Sequence, residues 1–305
     1  MNYKTVIDLI GNTPLAKIDF QTPPTILAKL EYLSPGGSLK DRSALYMIEE
    51  AERLGILKPG GTIIEASSGN QGIAAAMIGA IKGYKVIITT NDKFSPEKIK
   101  TIKAYGAEII LCPLTEFVDD PQSYHSQAVT LQKTIPNSFM LNQYYNLSNA
   151  KAHYHSTGAE IWRQTNGTIT HFFAAAGTCG TVSGCAQFLK EKNPLIKVIA
   201  VDALNSFRTT NGNPKPYKME GIGVDFISPI LSKHQSLIDE FFCVSDEQGL
   251  GMLKTMASQH GLLIGPSSGA VTFAVQEYSK QLSKDDIVVM MIGDSGRAYL
   301  TKNFY

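Results

Sequence analysis

Lys40 stands where a turn becomes a helix. Before it, Pro35-Gly36-Gly37-Ser38-Leu39 carries a proline and two glycines; after it, Ala44, Met47, Ile48, Ala51 and Leu54 recur at helical spacing. A helix N-terminus and partial burial both lower an amine's pKa. A lysine unprotonated near neutral pH is the group that bonds a carbonyl carbon. Taken alone, the same residues describe a solvated lysine in a first helical turn.

Two further turns change that balance. Gly177-Thr178-Cys179-Gly180-Thr181 offers successive backbone N–H groups and two hydroxyls at the start of a helix, a cradle for a phosphate dianion. No lysine ends it, so it is not a P-loop, and it lacks the glycine pattern and following acid of a dinucleotide site. Ser67-Ser68-Gly69-Asn70-Gln71 is a second anion nest, or else a serine-capped helix start. Two anion sites and one displayed lysine fit a phosphorylated aldehyde cofactor with a carboxylate substrate. Pyridoxal phosphate acting on an amino acid meets that requirement.

These residues need a scaffold, and the pattern supplies one. Strands are expected at Ile26–Lys29, Thr62–Ala66, Lys85–Thr90, Ala107–Leu111, 138–141, Thr168–Ala175, Lys197–Asp202, 240–244 and Asp286–Met291. Helices are expected from about Asp41 to Leu54, then at 71–82, from Pro96 (capped by Ser95) to Tyr105, and at 121–134, 148–164, after the Gly177 turn, at 245–260 and, after the turn Gly265-Pro266-Ser267-Ser268-Gly269, to about 281. Residues 203–236 read as loop. Apolar strands alternating with helices predict parallel sheets covered on both faces. The glycine-rich turns then fall at the strand ends that line the ligand crevice.

At 305 residues, two lobes are expected. Apolar residues make up 43% and charged residues 18%, and the net charge of +1 gives no reason to expect nucleic acid or an anionic membrane as partner. No apolar run is long enough to span a bilayer, and the N-terminus lacks the pattern of a secretory signal. Cys112, Cys179, Cys185 and Cys243 form no Cys-x-x-Cys pair, and no histidines cluster near them. Neither a disulfide framework nor a metal site is expected, and reduced thiols suggest the cytoplasm.

The motifs Lys29-Leu30-Glu31-Tyr32, Pro35 to Arg42, Ser67 to Asn70, Gly177 to Thr181, Glu220-Gly221-Ile222-Gly223 and Ser267-Ser268-Gly269 occur in the order found in the cysteine synthase and cystathionine β-synthase family. The chain resembles that family from about Ile7 to Leu300. The resemblance implies an α/β fold of two lobes, each a mainly parallel twisted sheet flanked by helices: the fold type II pyridoxal-phosphate enzyme, similar to tryptophan synthase β. It implies a smaller, mobile substrate lobe over 37–146, a larger cofactor lobe from 1–36 and 147–305, a homodimer, and a catalytic core with no regulatory module.

It also implies roles. Lys40 is the Schiff-base lysine and proton acceptor. Asn70 bonds the cofactor's ring hydroxyl, Gly177, Thr178, Cys179, Gly180 and Thr181 form the phosphate loop, and Ser267 faces the pyridine nitrogen. Ser67, Ser68, Gly69, Gln71 and Gln143 surround the substrate carboxylate. The reaction implied is β-replacement on serine or O-acetylserine through an aminoacrylate, with a thiol acceptor: sulfide gives cysteine, homocysteine gives cystathionine. Gly221 belongs to the same cleft, and the carboxylates of Glu220 and Asp225 are expected to hold the ammonium of an amino-acid thiol. Gln71 and Cys179 depart from the family's usual threonine and glycine. If the backbone at Cys179 needs a positive φ, its Cβ strains the turn by about 1 kcal/mol. A dehydratase that stops at elimination, or a catalytically silent binding relative, are the alternatives.

Overall fold

The computed structural model describes residues 4–67, 69–91, 95–115 and 119–305. Its strands are β1 (Leu15–Ile18), β2 (Thr25–Leu30), β3 (Thr62–Ala66), β4 (Lys85–Thr90), β5 (Glu108–Leu111), β6 (Ser138–Met140), β7 (His171–Ala175), β8 (Lys197–Ala203), β9 (Glu240–Val244) and β10 (Ile287–Ile292). The helices are α1 (Lys40–Arg53), α2 (Asn70–Lys82), α3 (Pro96–Ala104), α4 (Tyr124–Thr134), α5 (Ser148–His153), α6 (Ala159–Gln164), α7 (Gly180–Lys192), α8 (Pro229–His234), α9 (Asp246–His260) and α10 (Pro266–Tyr278).

The strands form two sheets, one ordered β1-β2-β10-β7-β8-β9 and the other β5-β4-β3-β6. Every pairing is parallel except β1 with β2. Side chains alternate between two apolar layers. Val288, Met290 and Ile292 pack toward α9 and α10, whereas Val289 and Met291 pack toward α7. In the smaller sheet Ile63, Val86 and Ile88 face α1 and α2, and Ile64 and Ile87 face α4. Burial on both faces is why these strands read as unbroken apolar runs.

The boundaries differ from the sequence pattern at identifiable places. α4 begins at Tyr124 because the Ser123 hydroxyl accepts from the Ser126 N–H at 3.0 Å and sets the cap there. Ser95 does not cap α3 with its side chain; its hydroxyl lies 2.5 Å from Glu97 Oε2 and 2.8 Å from the Ala298 carbonyl instead. The helix expected over 148–164 is interrupted by a π turn, Tyr154–Gly158. The expected loop contains α8, capped by Ser228, and a 3-10 helix, Gly296–Lys302, follows β10. Among the described residues, no helix is long and apolar enough to cross a membrane, and no cluster of side chains could hold a metal ion.

A buried ionic cluster ties α1 to the larger sheet. Arg42 meets Glu31 at 2.6 Å and Glu160 at 2.7 Å, and Lys29 meets Glu160 at 2.7 Å. Burial opposes the charge on Glu160, yet Arg42 and Lys29 hold its carboxyl down at about 2. Arg42 lies two residues beyond Lys40, so the cluster fixes the helix start from which the lysine projects.

Candidate active site

The carboxyl ends of β3, β7 and β10 converge on one crevice. β3 leads through Ser67 to Asn70, the first residue of α2, and β7 leads through Gly177 to Gly180, the first residue of α7. The turn before α1 is pinned to the end of β10: the Leu39 N–H donates to the Gly293 carbonyl at 2.9 Å, and Ser38 bridges Asp294. Lys40 is thereby carried over the crevice. Among the described residues none hydrogen-bonds its Nζ. Burial lowers the amine to about 8, against the nearby Asp294 carboxylate, which raises it.

Two adjoining clefts share Lys40, Asn70, Gly177, Thr178 and Gly221 as walls. The first also takes in Cys179, Thr181, Ser267 and Asp294, and holds about 560 Å³ between protein atoms, part of it open to solvent. The second takes in Ser67, Gly69, Gln71, Gln143, Glu220 and Lys98.

The first cleft has the donors a phosphate dianion needs. Among the described residues, nothing accepts from the backbone N–H groups of Gly177, Thr178 and Cys179. The Thr178 hydroxyl oxygen accepts from Asn149 Nδ2 at 3.1 Å, which leaves its own O–H to donate. Thr181 Oγ1 lies 3.2 Å from Nε2 of the buried His153, whose pKa burial drives well below the ordinary value. A Cβ on Gly177 would come within 2.7 Å of the Gly221 carbonyl, and one on Gly180 within 2.1 Å of Asn149 Oδ1. Only glycine admits this close approach. Cys179 adopts φ 64, so its Cβ sits in the left-handed region. Burial pushes its thiol up to about 12, which removes it from nucleophilic chemistry at neutral pH. Ser267 lies at the second position of α10 and lines the first cleft, and among the described residues none hydrogen-bonds its hydroxyl.

The second cleft suits a carboxylate. Gln71 is buried, its Oε1 accepts from Ser43 Oγ at 3.1 Å, and among the described residues its Nε2 has no partner. A buried amide with an unmet donor is costly unless a ligand accepts from it. Ser67 Oγ accepts from the N–H groups of Gly69 at 3.1 Å and Gly72 at 2.9 Å, which shapes the nest and still leaves its proton to donate. Ser68 lies outside the described residues. The Gln143 turn is held from beneath by Glu65 on β3, which accepts from the Asn142 N–H at 2.7 Å. Burial raises the Glu65 carboxyl to about 8.

The two acids expected at the acceptor end are placed differently. Glu220 lines the second cleft, but its carboxylate is ion-paired with Lys98 at 2.8 Å and also with Lys302. Burial works against the charge, and the two lysines nonetheless hold Glu220 below the usual carboxylate range. Asp225 is exposed, lines neither cleft and accepts from the Tyr217 hydroxyl. Sequence reasoning passed over Asp294, Glu65 and Lys98, and gave no role to Asn149 and His153, which lie in a segment, Tyr144–Tyr154, that resembles the family. Asp294 had a signal: a Gly-Asp-Ser sequence directly after the apolar run of β10, at a carboxyl strand end. The others sit inside strands or helices, where nothing marks them.

Residues 6–294 match the family described as pyridoxal-phosphate dependent enzyme. The chain belongs to that family. Its cofactor is pyridoxal phosphate, and the first cleft fits that group by its unclaimed N–H donors, its glycine-only cradle and its unpartnered lysine. Among relatives of this pyridoxal-phosphate enzyme, the cystathionine β-synthase of Apis mellifera is 43% identical over 97% of this chain and 60% of that protein. The chain therefore spans about 60% of that relative's length. A probable cysteine synthase of Bacillus subtilis is 41% identical, over 98% of this chain and 96% of that one. The crystal structure of the O-acetylserine dependent cystathionine β-synthase from Helicobacter pylori aligns with a TM-score of 0.93 at 36% identity, over 100% of this chain and 99% of that one. The family member described here thus has the fold type II architecture.

Proposed function

We propose that this chain catalyses β-replacement on serine or O-acetylserine, with sulfide or homocysteine as the thiol acceptor, giving cysteine or cystathionine. The observation that carries the reading is the Lys40 amine, lowered to about 8 and unpartnered, between a phosphate cradle and a carboxylate nest. The named relatives, a cystathionine β-synthase and a probable cysteine synthase, support both acceptors.

When bound, pyridoxal phosphate supplies an aldehyde that bonds amino groups and a ring that withdraws electrons from the adjacent carbon. Lys40 would hold it through Nζ and, once displaced by the substrate's amine, accept the Cα proton. The N–H groups of Gly177, Thr178 and Cys179 and the hydroxyls of Thr178 and Thr181 would hold the phosphate, with Gly180 opening α7 behind them. Asn70 would donate to the ring hydroxyl oxygen. Ser267 would meet the ring nitrogen with a neutral hydroxyl, which cannot stabilise a pyridinium as a carboxylate does. That choice favours prompt loss of the β substituent. Gln71 Nε2, Ser67 Oγ, the Gly69 N–H and the Gln143 amide would bind the substrate carboxylate, carried by a smaller lobe over 37–146 that moves against the rest. Glu220, neutralised by two lysines, would close the cleft wall beside Gly221. Asp225 remains the acid with which an acceptor ammonium could pair.

The test is the visible spectrum of the cofactor-loaded protein with each donor, followed by each acceptor. One donor is expected to displace the band, and the productive acceptor to restore it with formation of cysteine or cystathionine. A band that moves with neither donor, with no thioether or thiol product, would refute the reading. A second expectation concerns Gln71. Gln71→Leu keeps the volume but removes the donor, so KM for the amino-acid donor should rise about ten- to a hundredfold, the range for a hydrogen bond to a charged group. Initial-rate kinetics decide it, and an unchanged donor KM removes Gln71 from the carboxylate site.

A further inference from the structure

Asn70 is aimed by another side chain. Its Nδ2 donates to Asp294 Oδ2 at 2.7 Å, across 224 positions of sequence. The Tyr299 hydroxyl donates to the same oxygen at 2.5 Å. Asp294 is 4% exposed, and among the described residues its Oδ1 has no hydrogen-bond partner. That oxygen lies against Gly265, where a Cβ would come within 2.0 Å of it. Two donors and one close wall therefore fix the carboxylate.

The chemistry of this contact settles which way the amide points. Asp294 Oδ2 already receives the Tyr299 proton and can only accept from Asn70, so the NH₂ of Asn70, not its carbonyl, must face it. One N–H is used there, and the NH₂ group also reaches the Tyr299 hydroxyl beside that oxygen. The second N–H belongs to a residue that walls both clefts beside Lys40.

We propose that Asp294 is a positioning residue: by holding one N–H of Asn70 it presents the other to the ring hydroxyl oxygen of pyridoxal phosphate. This rests on the reading of Asn70 given above. Asp294 itself lies at the end of β10, and Asn70 opens α2 on the smaller sheet. The contact thus also couples the arrangement of the two sheets to the cofactor's electronic state.

The experiment compares the visible band of bound pyridoxal phosphate, and its pH titration, in wild type, N70A, D294A and the N70A/D294A double variant. Both donors use Oδ2, so the carbonyl oxygen of an asparagine could still accept from both, whereas an alanine at 294 removes the acceptor and adds no donor. D294A should displace the band in the same direction as N70A, and the double variant should go no further than N70A. A merely structural Asp294 would lower thermal stability without this pattern. A wild-type band in D294A, or displacements that add fully in the double variant, would overturn the proposal. Should D294A not fold, D294A/Y299F, which leaves no tyrosine hydroxyl without its acceptor, carries the same expectation. An unchanged band in N70A would remove Asn70 from the cofactor contact and the proposal with it, while the Lys40 reading would stand.

Discussion

Lys40→Ala is expected to lower turnover at least about a thousandfold while leaving the fold intact, the scale set by removing a positioned general base together with a covalent contact. The amine has no hydrogen bond to lose among the described residues, and alanine is a good residue in a first helical turn. Thermal melting should therefore stay at the wild-type midpoint or rise slightly. The lowered pKa gives the effect its size. At pH 7.4 an ordinary lysine is unprotonated about once in a thousand, whereas an amine at about 8 is unprotonated roughly a fifth of the time. Lys40→Arg should not rescue turnover, because a guanidinium stays protonated. Steady-state assays of cofactor-loaded protein beside a melting curve check both halves. Wild-type turnover in the alanine variant would remove Lys40 from the chemistry.

Arg42→Met should destabilise the protein by about 3–5 kcal/mol at pH 7, because it leaves the buried Glu31 carboxylate without its ion-pair partner and Glu160 with Lys29 alone. Arg42 bonds Glu31 through Nε and Nη2 and Glu160 through Nη1 and Nη2, at 2.6 to 2.9 Å. The pH dependence follows with a definite sign. Glu160 is held at about 2 in the folded protein against an ordinary 4.5, so its contribution is present above pH 4.5 and is lost as pH falls toward 2. In the variant Glu160 costs less once protonated, so the gap between variant and wild type should narrow on acidification. Urea unfolding of apo protein at pH 7 and pH 4.5 measures it. A difference under about 1 kcal/mol at pH 7 would mean that the cluster does not anchor α1.

Much of the candidate site's frame was legible in the chain. Proline and glycine before Lys40 forced a turn, the spacing of Ala44 to Leu54 demanded a helix, and both anion nests lay at strand-to-helix junctions. Those are local constraints, set by backbone sterics and hydrophobic period, and they survive folding with boundaries shifted by a few residues. Cys179 was legible in the same way: a non-glycine in a glycine-rich turn signalled strain, and its φ of 64 is where that strain lies.

What tertiary structure alone decided is the partner of each polar group. Glu220 looked available to a substrate ammonium, yet Lys98 and Lys302 reach it from 122 and 82 positions away. Gln71 looked like a mere departure from pattern until Ser43 took its Oε1 and left Nε2 unpaired inside the cleft. Asp294 became the residue that aims Asn70. Sequence determined the lysine, its turn, the two anion nests and the parallel α/β scaffold, because each is written within one turn or one period of the chain. Which acid is neutralised, which amide is left waiting and which way Asn70 points depend on contacts between residues far apart in sequence. Burial then turns each of those contacts into chemistry, since a polar group out of water takes its charge and orientation from whatever it meets.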